Sequence, residues 1–540
     1  MPMTPPAPYT MVSLAVLALI STAIATAQQL SSQWTTFPLP IRRVAVIGAG
    51  PSGLQAAANL MAANLSVRLF ERAPSPGGNW FFTEDTPVRE AYPNDTIRNT
   101  TPIPPNLPHT RYHEEGKDGI KLDYLWREHW QPSPVWYDLH TNGPSSATEL
   151  HGVKYPANTP WLASVHDVQR HVRSYASLHG LNIGDRPITP SSAPVASYST
   201  RVESISKCNE TATWTLTLRR LEWLRESGRI KEDLWTEDFD AVVVAVGYFS
   251  TPSVPAIPGL SNWSTAIKNG QYSVYHAQAF RHPERYAGKK ILIVGASWSA
   301  TDIARTIAPF TSRLVASIRP NPLRDAYGLD IMFSFPTETE IVPEILAFEP
   351  LDEHEIGINT GVIRLVDGSY LTDIDEIILA TGYHGNTFLP DLVDPKTLSN
   401  VHWTGHYIHD PTLAYATVRP WIEGHYQSAA FARVWTEKAR LPSQEEMLRV
   451  YREGKLRCAD GFNVLAFEGQ QRQYVAWLNG EALELGGQLF DMPPVQIRED
   501  VAYFLNAHWK KNFVNHEDFT RFDDIPSNEW PKCGTLMGAW

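Results

Sequence analysis

The chain has 540 residues, of which 43% are hydrophobic, 11% aromatic and 19% charged, enough apolar material for several domains with large cores and incompatible with wholesale disorder. Its 46 basic and 58 acidic residues give a net charge of −12 with no concentrated run of either sign, which excludes nucleic acid as a leading partner. The three cysteines, Cys208, Cys458 and Cys533, are too widely spaced for a zinc cluster or a Cys-x-x-Cys redox pair.

Met11 to Ala25 is an uncharged apolar run, and Ala25-Thr26-Ala27 supplies the small residues that a signal peptidase accepts. Residues 1–27 therefore read as a secretory signal, which places the chain in the ER lumen or outside the cell. Because the start carries no Lys or Arg, an uncleaved anchor in the ER membrane is the alternative. The run is short for a full span, and no second stretch of spanning length follows residue 40. In a secreted glycoprotein the sequons at Asn64, Asn94, Asn99, Asn209 and Asn262 become acceptors, with Asn94 and Asn99 favoured by their Pro- and Asn-rich surroundings.

Arg43 to Ile47 is a short β-branched run that ends in Gly48-Ala49-Gly50-Pro51-Ser52-Gly53, and Leu54 to Ala63 follows as an Ala- and Leu-rich helix. Gly48 suits the tight turn, Gly50 lets backbone approach a pyrophosphate, and Gly53 lets helix pack on strand. The pyrophosphate then meets the unpaired N–H groups of the helix N-terminus. The next strand, Ser66 to Phe70, ends in Glu71, where an acid accepts ribose hydroxyls; this argues for FAD or NAD and against a 2′-phosphate.

A looser copy follows. Lys290 to Val294 runs into Gly295-Ala296-Ser297-Trp298-Ser299-Ala300 and the helix-like Thr301 to Ala308, with Ser297 and Ala300 in place of the later glycines. The strand after it, Leu314 to Ile318, ends in Arg319, where a guanidinium favours a phosphate and hence NADPH over NADH. A nucleophile elbow would need Gly-x-Ser-x-Gly, and this loop reads Gly-x-Ser-x-Ser.

The residues between the loops carry a resemblance. Pro76-Gly77-Gly78-Asn79-Trp80 resembles the Gly-Gly-x-Trp turn of the flavin-containing monooxygenases, and Tyr137 to Asn142 resembles their Tyr-x-x-Leu-x-Thr-Asn segment. Leu379-Ala380-Thr381-Gly382-Tyr383 is similar to the Ala-Thr-Gly-Tyr phrase by which that family's chain leaves its NADPH domain, and Gln427 is similar to a late glutamine beside the flavin. The matches run from about residue 42 to about 435 in the family's order.

The resemblance implies that Gly48, Gly50, Ser52, Gly53, Glu71, Gly78, Trp80 and Gln427 surround FAD, and that Gly295, Ser297, Ser299 and Arg319 surround NADPH. It implies a flavin C4a-hydroperoxide, formed with O2, that oxygenates a nucleophilic nitrogen or sulfur of a small molecule, with Asn142 as the catalytic position that helps to hold it. On spacing alone Asn142-Gly143-Pro144 is a turn string. The family's Phe-x-Gly-x-x-x-His phrase survives here only as His276, with Gly270 and Tyr272 at its other positions.

The expected fold class is α/β, with two dinucleotide-binding, Rossmann-like domains. An NADPH domain of residues 251–383 is inserted into a discontinuous FAD domain of residues 33–250 and 384–540. Trp223 to Trp235 reads as a charged surface excursion between strands. The aromatic tail, with Trp477, Trp509, Trp530 and Trp540, reads as core packing over the flavin domain or as a lid. Two other enzyme classes stay open: an FAD oxidase that makes H2O2 without NADPH, and a Baeyer–Villiger-type oxygenase.

Overall fold

The computed structural model describes residues 33–88, 92, 102–182, 195–208, 210–268, 270–320, 335–351, 357–384, 400–416, 421, 423–453, 472, 474–480, 489–497 and 499–500. The expected signal segment of residues 1–27, the sequons Asn94, Asn99 and Asn209, and Trp509, Trp530 and Trp540 lie outside these residues.

Two parallel five-stranded sheets organise the chain. The first takes its strands in the order Leu413–Tyr415, Ala241–Val244, Arg43–Ile47, Ser66–Phe70 and Ala196–Ser197. Alternation along Arg43–Ile47 divides two cores, as the period of two in a strand requires. Val44 and Val46 face a layer that includes Leu54, Val168, Val172 and Phe431, while Ala45 and Ile47 face Trp214, Leu216 and Phe239. Helices Pro51–Ala62, Val165–Leu178 and Glu423–Trp435 supply the first layer. Pro51 opens the first of these helices, where its missing N–H costs nothing. Ser164 and Asp167 close a capping box on the second.

The second layer is an antiparallel meander, and here the expectation for Trp223 to Trp235 is corrected. Thr213–Leu224 and Arg229–Phe239 are long paired strands joined by a tight turn, flanked by Thr200–Cys208 and His109–Glu114. Arg225 and Glu226 at the turn are exposed, but Glu232 turns inward to a buried ion cluster. Glu232 is fully buried and accepts from Arg111, Arg219 and His113, the last at 2.7 Å. Burial pushes its carboxyl up, but the Arg111 and Arg219 guanidiniums prevail and hold it at about 2. A charge pattern read without its cross-strand partners does not distinguish these cases.

The second sheet runs Val274–His276, Glu376–Leu379, Lys290–Val294, Arg313–Ser317 and Glu340–Val342. All these strands fall in sequence between Ala241–Val244 and Leu413–Tyr415, so one Rossmann-like unit is inserted into the other. Ile291 and Ile293 pack on helix Trp298–Ile307, and Leu292 and Val294 on Trp263, Phe348 and Ile363.

The two units repeat one geometry. Gly48 N–H donates to Phe70 O at 2.8 Å and Gly295 N–H to Ser317 O at 3.0 Å, with φ of +103° and +123°. A Cβ at Gly48 would lie 2.5 Å from the Ala245 carbonyl oxygen, and one at Gly295 2.4 Å from that of Ala380. Only glycine meets both the dihedral and the space. Among the described residues no helix is long and apolar enough to cross a membrane.

Candidate active site

The first glycine loop delivers the chain to helix Pro51–Ala62, whose N-cap Gly50 makes no side-chain cap. The first-turn N–H groups there are arranged to receive an anion. Gly48 and Gly50 line the turn, Ser52 is half-buried in the first helical turn, and Gly53 is buried beneath it. Glu71 lies under the loop, where Ala49 N–H donates to its Oε2 at 2.7 Å and Ala73 N–H to its Oε1 at 2.8 Å. Burial raises the pKa of this carboxyl, opposed by those two N–H groups.

The Gly-Gly-x-Trp turn closes on the same loop. Gly77 N–H donates to Ala49 O at 3.0 Å, and Gly78, at φ +55°, opposes Gly50. Trp80 meets Trp421 edge to face at 5.8 Å. Gln427 is buried in helix Glu423–Trp435, which packs along the loop helix. Between the two helices Gln55, fully buried, donates from Nε2 to Trp421 O at 2.9 Å, and its Oε1 meets no hydrogen-bond partner among the described residues. Sequence reasoning missed Gln55 and Trp421. The available signal was a single amide on the buried face of an otherwise Ala- and Leu-rich helix.

Two features of this cradle fit FAD: a backbone floor where Gly78, at φ +55°, leaves no room for a Cβ against the Gly50 α-carbon, and a buried acid one strand away. In the second unit Gly295 makes the turn and Ser297 is an N-cap whose side chain makes no cap bond. Ser299 is half-buried in the first turn of helix Trp298–Ile307, and Arg319 is exposed just past strand Arg313–Ser317. The structure thus brings Gly48, Gly50, Ser52, Gly53, Glu71 and Gly78 together at one loop, with Trp80 beside them, and Gly295, Ser297 and Ser299 at the other, while Gln427, on the neighbouring helix, stands against Gly405.

Asn142 is exposed in a bend. Its neighbour Thr141 is buried and pins the bend: Thr141 N–H donates to Ala163 O at 2.8 Å, Ala163 N–H returns to Thr141 Oγ1 at 3.1 Å, and that hydroxyl donates to Gly143 O at 2.7 Å. Upstream, Trp136 and Leu139 pack on the core of the inserted unit, and Trp136 meets Phe280 at 5.7 Å. The segment that carries Asn142 therefore touches both units.

His276 also has a place. Gln278 N–H donates to its Nδ1 at 3.2 Å, so Nε2 carries the proton and donates to Gly382 O at 3.0 Å. Burial lowers its pKa to about 4, against the pull of that carbonyl. The surviving histidine of the degenerate phrase ties the outgoing linker to the returning Ala-Thr-Gly-Tyr.

Of the sequons within the described residues, Asn64 ends a helix at φ +63° and Asn262 lies in the short helix Leu260–Ser264; both are exposed.

Comparison with known proteins identifies the family and the fold. Residues 196–322 match the flavin-binding monooxygenase-like family, and residues 46–115 match an NAD(P)-binding Rossmann-like domain. A flavin-containing monooxygenase of Amanita muscaria, iboF, is 34% identical over 84% of this chain and 91% of its own. The trimethylamine monooxygenase of Roseovarius nubinhibens is 28% identical over 69% of each chain. The S-allyl-L-cysteine S-oxygenase of Allium sativum shares the fold, with a TM-score of 0.59 at 19% identity over 93% of this chain and 98% of its own. The chain belongs to the flavin-containing monooxygenase family and is an FAD- and NADPH-dependent monooxygenase.

Proposed function

We propose that the enzyme transfers one oxygen atom of O2 to a nucleophilic nitrogen or sulfur of a small molecule. The observation that carries this reading is the pair of glycine-loop helices without side-chain caps, the first followed by Glu71 and the second by Arg319. One site suits a cofactor that stays and the other a phosphorylated hydride donor. Flavin reduced by NADPH supplies the chemistry that activates O2; the protein binds, orients and shields it.

In this reading Gly48, Gly50, Ser52 and Gly53 receive the FAD pyrophosphate and Glu71 the ribose. Gly78, Trp80 and Gln427 border the flavin. Gly295, Ser297 and Ser299 receive the NADPH pyrophosphate, and Arg319 pairs with its 2′-phosphate. The Asn142 amide supplies a fixed donor at the oxygen-transfer locus, on a bend that Thr141 holds rigid. The unit boundaries are residues 33–250 and 384–540 for FAD and 251–383 for NADPH. The apolar run within residues 1–27 directs the chain into the secretory pathway, where exposed Asn64 and Asn262 would carry glycans.

Stopped-flow spectra test this reading. The FAD-loaded enzyme is reduced anaerobically with NADPH and mixed with oxygenated buffer, with trimethylamine or dimethyl sulfide as probe acceptor. Formation of the N-oxide or sulfoxide is expected. Stoichiometric H2O2 with neither product, across a panel of amines and sulfides, would replace it with an NADPH oxidase.

A further inference from the structure

Arg281, on the linker side of the inserted unit, is 8% exposed and has no carboxylate within ion-pair distance among the described residues. Instead all five of its guanidinium N–H groups end on backbone carbonyls. Nε and Nη2 donate to Asp85 O at 3.2 and 2.6 Å, and Nη2 also donates to Ser133 O at 3.0 Å. Nη1 donates to Gln278 O and Phe280 O at 2.9 and 2.7 Å. One planar group thus joins three pieces of chain: the stretch after the Gly78 turn, the stretch before Tyr137, and the turn that carries Arg281 itself. The backbone adds a return bond, Tyr137 N–H to Arg281 O at 3.1 Å.

Burial lowers the pKa of Arg281 only to about 10, so the group stays cationic at neutral pH. A buried cation satisfied solely by carbonyls is a poor source of stability compared with an apolar side chain of similar volume. Its rigid fork does fix the relative positions of three backbones, which a flexible ammonium does not. Five residues beyond Tyr137 lies Asn142.

We propose that Arg281 is a positioning residue for oxygen transfer: through Asp85, Ser133 and Tyr137 it clamps the Tyr137–Asn142 segment onto the linker of the NADPH unit. The proposal rests on the role given above to Asn142.

The test uses FAD-loaded full-length enzyme with Arg281→Met, Arg281→Lys and Asn142→Ala. Hydrogen–deuterium exchange is followed across residues 133–142, together with the rate of H2O2 release under NADPH and O2 without acceptor. Arg281→Met should exchange roughly tenfold faster in that segment, the order set by a lost hydrogen bond, with the rest of the fold unmoved. Its H2O2 release should rise by about tenfold or more, since small misplacements at a reacting centre carry such factors. Arg281→Lys, with three donors for four carbonyls, should fall between Met and wild type in both readouts, and decides the question if the Met variant does not fold.

A merely stabilising arginine would instead lower the melting temperature and loosen both units alike without raising H2O2 release; that result, or unchanged exchange in 133–142, overturns the proposal. Faster exchange in Arg281→Met with no extra H2O2 from Asn142→Ala upholds the clamp and overturns the role of Asn142. The reverse pattern overturns the clamp alone.

Discussion

Gly50 and Gly78 meet backbone to backbone: a Cβ built on Gly78 would stand 2.8 Å from the Gly50 α-carbon. A contact that short involves main chain on both sides, so no rotamer relieves it. Gly78→Ala also places a side chain at φ +55°, a strain of about 1 kcal/mol. The expected outcome is a folded protein that loses FAD, with flavin absorbance per chain reduced roughly tenfold at limiting FAD. Full occupancy would mean that the two backbones part at little cost.

Asn142→Ala should leave FAD content and the rate of anaerobic reduction by NADPH within about twofold of wild type. Product should fall by a factor of about 10² to 10³, with the electrons recovered as H2O2, the range observed when one fixed amide donor is removed from an active site. Product yield and peroxide are measured together. An unchanged ratio would leave the exposed bend as a turn only.

Arg319→Ala should weaken NADPH by roughly ten- to a hundredfold, since hydrogen bonds to a charged group contribute about 1.5–3 kcal/mol, and should leave NADH nearly untouched. Reductive half-reaction rates against cofactor concentration give both constants. Equal loss for the two cofactors would show that the 2′-phosphate is held elsewhere.

Acid should destabilise the fold well before its carboxylates titrate. Burial lowers His402 and His406 to about 3, and both share the Thr404 hydroxyl, at 2.8 and 2.9 Å from their Nδ1 atoms. That hydroxyl has one proton to give, so at least one Nδ1 carries its own, and burial, which disfavours the charged form, keeps both rings neutral in the fold at neutral pH. His425, stacked on His151 at 3.6 Å, is likewise lowered to about 3 by burial. In the unfolded chain these rings protonate near 6.5. The unfolded state therefore binds more protons between the two values, and stability is complete above about pH 6.5 and is lost as pH falls toward about pH 3. The slope is about 1.4 kcal/mol per pH unit for each such ring. Urea midpoints should drop between about pH 7 and about pH 5, and His406→Gln should show a shallower slope. A flat profile would contradict the neutral cluster.

The parts of this fold that were legible in the sequence are those fixed by short-range chemistry. Arg43–Ile47, Gly48 to Gly53, the following helix and the strand that ends before Glu71 are continuous in sequence, and the glycine spacing and the acid that mark them lie within one short stretch of chain. The second unit read equally well despite Ser297 and Ala300, because the turn needs only Gly295 to be glycine. Glu232 was not legible, since its meaning comes from Arg111 and His113 on a strand more than a hundred residues away. Nor was Arg281: an arginine beside His282 and Pro283 looks solvated until Asp85 and Ser133 are brought to it. His276 was found as a remnant of a phrase, and its bond to Gly382 could not be read because the two lie on opposite crossings between the units.

Those crossings lie side by side. Thr251–Pro252 pairs antiparallel with Tyr383–His384, Ser253 N–H donates to Gly382 O at 2.9 Å, and Thr381 Oγ1 donates to Ser253 O at 2.5 Å. A guest that departs and returns through one two-stranded stem is separable in principle. Excising the stretch beyond Ser253 and before Thr381, and joining the stem with a short hairpin, would leave the host sheet its five strands in their present order.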